Sequence, residues 1–110
     1  MGKVFITQIP ERRTQDGAFV PTINIAPAAE FGEIIVLCER SASIWKSDEL
    51  VRDLRKKFKG YNAETDFMVA LGDPSIIAAA FAILGKDYGA ISLLKWDRII
   101  KRYLPTKIRV

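Results

Sequence analysis

The chain has 110 residues, with 17 basic against 13 acidic, 49% hydrophobic and 27% charged residues. These are the proportions of one soluble domain with one core, which excludes a two-domain enzyme, a disordered chain and a disulfide scaffold. The absence of histidine removes the commonest metal ligand and the commonest general base near neutral pH, and with them zincin, chymotrypsin-like and papain-like chemistry.

Val4 to Ile9 (VFITQI) is β-branched and aromatic and reads as a first strand that Pro10 ends. Glu11 to Phe19 is polar with a Gln-Asp-Gly turn at 15 to 17, and Val20 to Ile25 is extended, so this segment is a hairpin arm or a long loop. Ala26 to Phe31 (APAAEF) is too short for a stable helix and predicts a single helical turn or a crossover. Glu33 to Cys38 carries the run IIVL expected of a strand covered on both faces, which makes Cys38 a buried core thiol. As the single cysteine it has no disulfide partner, and no histidine activates it.

A helix is predicted from Ser47 as N-cap to Gly60 as the residue after its end. Asp48 and Glu49 lie in its first turn, lysines lie in its last, and Leu50, Leu54 and Phe58 form an apolar stripe with Val51. Its other face holds Arg52, Arg55, Lys56 and Lys59, and Asp48–Arg52 and Asp53–Lys57 are spaced as ion pairs. Asp66 to Leu71 predicts a buried strand. The turn GDPS follows, with Asp73 as N-cap and Pro74 in the first helical position, and opens a helix running to Gly85. Ile76 to Leu84 is apolar all round, so burial under the sheet or against a second subunit is expected, and with it a homodimer. Ala90 to Trp96 and Lys101 to Val110 are the last strands, an antiparallel edge hairpin joined through Asp97 to Ile100. The fold class is α/β: a single domain over residues 1–110 with a mixed, mostly parallel sheet of about five strands, two principal helices and a C-terminal β-hairpin.

Two surfaces stand out. In open α/β sheets ligands bind beyond the carboxyl ends of the strands, which directs attention to the loop after Cys38, to Gly72, Asp73 and Ser75, and to Asp97 and Arg98. Glu39, Asp73 and Asp97 would share that rim with Arg40 and Arg98, although the Asp73 carboxylate is expected to cap the helix amides itself. The second surface is C-terminal. Residues 95 to 110 hold Lys95, Arg98, Lys101, Arg102, Lys107 and Arg109 against Asp97 alone, whereas the remaining residues carry 11 basic and 12 acidic side chains. Trp96 and Tyr103 lie among these cations. The combination fits base stacking with phosphate contact, a protein interface, or cross-strand packing at a guarded sheet edge.

The blocks VFITQ, PAAEFGE, LVRDLR, GDPSII and LLKWDR, spread over nearly the whole chain, resemble a family of small uncharacterised proteins of tailed bacteriophages. That resemblance implies a phage origin and assigns no chemistry. The GDPS turn with its Ala-rich helix is also similar to viral ring nucleases that destroy cyclic oligoadenylate, but those have histidine where Asp73 stands. The expectation is a phage accessory protein in the host cell cytoplasm. It is read as a non-enzymatic binding module for a host or phage macromolecule, with no catalytic residue, metal or cofactor and no membrane segment. Its expected binding residues are Trp96, Arg98, Lys101, Arg102, Tyr103, Gly72, Asp73 and Ser75, with nucleic acid as a possible partner of the basic segment. The alternative is a nucleotide-binding or nucleotide-cleaving anti-defence protein working at the rim near the GDPS turn.

Overall fold

The computed structural model describes residues 2–39 and 47–110. Four strands lie parallel in the order β4 (Glu33–Cys38), β1 (Lys3–Gln8), β5 (Phe67–Val69), β6 (Ala90–Asp97), and β7 (Arg102–Arg109) closes the sheet antiparallel to β6. The chain therefore steps from β1 to an edge, returns across it to β5, and continues in that direction.

Helices α1 (Ser47–Lys57) and α2 (Pro74–Tyr88) cover one face, where Leu54, Phe58, Ile76, Ala80 and Leu84 bury Phe5, Leu37, Met68 and Ile91. Alternation sends Val4, Ile6, Val69 and Leu94 to the opposite face. There the β1 to β4 crossover supplies a small separate hairpin, β2 (Glu11–Arg13) with β3 (Phe19–Pro21), and a 3-10 turn, Ala26–Phe31, whose Ala28 is fully buried. The layers are unequal: two helices on one side, a short turn and an arm on the other.

The mixed sheet of five strands, the two principal helices and the C-terminal hairpin agree with the sequence reading, and several details correct it. β4 is an edge strand whose Val36 stays exposed, because the crossover covers only part of the second face. β5 shortens to Phe67–Val69, since Asp66 is drawn into a loop and Leu71 is held by Thr7. α2 passes Gly85 and ends at Gly89, whose φ of 75° is the left-handed conformation of a helix terminator. Gly85 instead sits beneath Val110. α2 is also not buried all round, for Ala78 and Ala82 face outward. α1 begins at Ser47 itself, so the residue read as N-cap is the first helical one. Of the two expected ion pairs on α1, Asp53–Lys57 forms at 2.9 Å, while Arg55 pairs with Asp87 of α2 at 2.9 Å.

Buried polar groups fix the strand ends. Asp66 accepts the Lys3 amide through Oδ1 and the Asn62 amide through Oδ2, each at 2.9 Å. At the other end, Thr7 Oγ1 donates to the Leu71 carbonyl and accepts its amide at 2.8 Å. Cys38 is buried as expected, and loss of hydration raises its thiol pKa.

Candidate functional site

The order of the strands places a topological switch between the carboxyl ends of β1 and β5, the position where open α/β sheets hold ligands. A crevice of about 280 Å³ lies there, lined by Gln8, Ile9, Pro10, Glu11, Gly72 and Asp73. Its polar groups already have partners. Gln8 Oε1 accepts the Asp73 amide and Gln8 Nε2 donates to the Glu39 carbonyl, both at 2.9 Å. Asp73 Oδ1 caps the Ser75 amide at 2.7 Å, and the Ile76 amide goes to the Asp73 carbonyl. Gly72 has a φ of 85°, and a Cβ there would stand 2.5 Å from Gln8 Oε1. The turn is thus shaped around Gln8, a residue the sequence did not single out.

Of the proposed rim residues, Glu39 and Asp73 are linked through Gln8 by their backbone carbonyl and amide, not by their carboxylates. The third, Asp97, turns to its own hairpin, where Oδ1 accepts the Ile99 and Ile100 amides. Arg40 falls outside the described residues, and Arg98 is exposed in the turn after β6. No group of three acidic or sulfur ligands converges among the described residues.

A larger and more apolar cavity occupies the thinly covered face. It measures about 530 Å³, with Val69, Leu71 and Leu94 on the sheet, Trp96 and Tyr103 on one side, and Ile23 with Pro27 on the crossover side. Trp96 and Tyr103 are direct partners in the β6–β7 register, their rings edge-to-face with centroids 5.0 Å apart. Tyr103 is buried, which raises its phenol pKa, and Trp96 remains 44% exposed. Tyr103 positions; Trp96 is presented. Missed by the sequence were Ile23, Pro27, Val69 and Leu71, whose convergence needs the crossover path.

The C-terminal cations do not form one surface. Arg102 meets Glu30 at 3.4 Å and Lys107 pairs with Glu64, which lowers the Glu64 carboxyl pKa. Arg98 and Lys101 lie in the exposed turn, where Lys101 has a positive φ of 55°. Pro105 sits in the edge strand β7, a placement that blunts an open edge. The expected binding residues divide between two cavities, with Trp96 and Tyr103 at one and Gly72 and Asp73 at the other.

A family model described as "Phage Pam3 gp32-like protein" matches residues 2–110. No curated protein and no solved structure shows significant similarity to the chain.

Proposed function

The chain belongs to the Phage Pam3 gp32-like protein family, and on that premise we propose that it is a non-enzymatic binding module, acting in the host cytoplasm, which docks a host or phage protein in the cleft beside Trp96. The observation that carries this reading is the 530 Å³ apolar cleft on the face that lacks a full helix. A half-exposed tryptophan held rigidly by a buried tyrosine, above a floor of Val69, Leu71 and Leu94, has the composition of an interface hot spot. A protein partner is favoured here over nucleic acid because Arg102 and Lys107 already have carboxylate partners. A nucleotide at the rim has less support, since Gln8 and Asp73 hold the amides a phosphate would need.

Placing a photo-crosslinking phenylalanine analogue at Thr22, on the lining of the cleft, in infected cells, followed by reconstitution with the purified crosslinked protein, tests the proposal. Ile23→Glu and Trp96→Ala should each weaken the reconstituted complex at least about tenfold, as expected for hot-spot positions. A complex indifferent to both substitutions would refute the cleft as the docking site.

A further inference from the structure

The basic face of α1, which the protein-docking reading leaves unused, borders an open groove of about 640 Å³ on the side of the molecule covered by the helices. Arg52, Arg55, Lys56 and Lys59 line it, with Val51 and Tyr88 as its apolar part. Arg55 is neutralised by Asp87. Arg52, Lys56 and Lys59 have no ionic partner among the described residues, and Asp48 is the one acidic residue on the lining.

The geometry of this row is regular. Arg52 and Lys56 are one helical turn apart, about 6 Å along the axis at about 1.5 Å per residue, and Lys59 continues the row in the closing turn. Beside them Tyr88 is fixed at both ends of its ring system. Its hydroxyl donates to the Phe58 carbonyl at 2.9 Å, and its ring packs edge-on to Tyr61 with centroids 5.3 Å apart. The residue is nevertheless 39% exposed, and it lines the groove.

We propose that this groove binds single-stranded nucleic acid, with Arg52, Lys56 and Lys59 on successive phosphates and a base stacked on Tyr88. Charge complementarity selects a polyanion, because three unpaired cations repeat along one line. The pinned aromatic ring selects bases over acidic side chains, since it loses no freedom when a flat ring covers it. Five of the seven residues lining the groove are charged, unlike a protein hot spot with its uncharged core, and this separates it from the cleft at Trp96 on the opposite face, where Lys95 is the one charged lining residue.

The test is fluorescence anisotropy with a labelled mixed-sequence single-stranded DNA across a salt series, using the full chain. Three phosphate contacts predict a log–log salt slope of about −2, at roughly 0.7 per contact on single strands. The combined variant Arg52→Gln, Lys56→Gln, Lys59→Gln should weaken binding at least about tenfold and flatten that slope. These side chains are exposed, so the variant should melt as the parent does. Tyr88→Leu should weaken binding about tenfold with the slope unchanged, whereas Tyr88→Phe, which keeps the ring, should bind nearly as the parent. Absence of binding at low salt would overturn the proposal. So would undiminished binding by the triple variant, or equal affinity for a polyglutamate of matched charge, which would identify the groove as a site for acidic protein.

Discussion

Gln8 reaches from the end of β1 to accept the Asp73 amide at 2.9 Å, and the same side chain donates to the Glu39 carbonyl. One residue thus joins the ends of β1, β4 and the start of α2 at the position where related topologies open for a ligand. Gly72 has no room for a side chain because Gln8 lies against it. Gly72→Ala should therefore cost about 2 kcal/mol, combining the positive φ with the clash, and urea unfolding measures it. A neutral result would mean that Gln8 does not occupy the crevice in solution.

Asp73 acts on the Ser75 amide as a cap. Asp73→Ala should lower stability by about 1 kcal/mol, Asp73→Ser should restore most of it, and both should leave partner binding intact. If Asp73→Ser keeps stability and abolishes binding or phage growth, the carboxylate has a chemical role and the rim becomes the functional site.

The two aromatic residues of the hairpin should separate in their effects. Tyr103→Ala empties a buried position and should cost about 3 kcal/mol. Trp96→Ala removes a half-exposed ring and should cost about 1 kcal/mol, so partner affinity should fall far more than stability. Thermal melts of the two variants beside binding measurements give the comparison, and equal losses of stability would make Trp96 a packing residue.

Burial raises the Cys38 thiol above its ordinary pKa of 9.0 and the Tyr61 phenol above its ordinary 10.0. The unfolded chain releases these protons at lower pH than the folded one, so their contribution to stability is complete below about pH 9 and is lost as pH rises through the folded values. Urea midpoints should decline across that alkaline window, and Cys38→Ala should remove the part that begins near the thiol value. A midpoint independent of pH would contradict the burial of both groups.

Self-association is expected through the helical face. Ala78 and Ala82 of α2 are exposed, and Leu104 and Ile108 of β7, exposed at 40% and 41%, share their side of the sheet by strand alternation with Ile91. Small residues permit close approach of a second copy at this face, and Ile108→Asp should shift a dimer to monomer in light scattering. A mass of one chain for the parent at high micromolar concentration would refute the dimer.

The elements and their class were legible in the amino-acid sequence. The β-branched and aromatic composition of VFITQI, the apolar stripe of Leu50, Leu54 and Phe58, and the Asp73–Pro74 helix start are local signals. The backbone obeys them because each concerns residues within a few positions of one another. The Trp96–Tyr103 pair was legible for the same reason, being separated by one short turn. The places of the sites follow from contacts between distant parts of the chain. That Gln8 fills the switch point depends on which strand lies beside β1, and that Lys107 and Arg102 are neutralised depends on Glu64 and Glu30, 43 and 72 residues away. The cleft arises because the β1 to β4 crossover folds as an arm and one 3-10 turn, which leaves Leu71 half-buried and Trp96 exposed beside the buried Val69 and Leu94. Tyr88 lay beyond the helix end read at Gly85, and only the continuation of α2 and its packing against Phe58 and Tyr61 turn this ring into the wall of the basic groove. Such contacts join positions far apart in the chain, and their energies depend on burial and approach that no local pattern encodes.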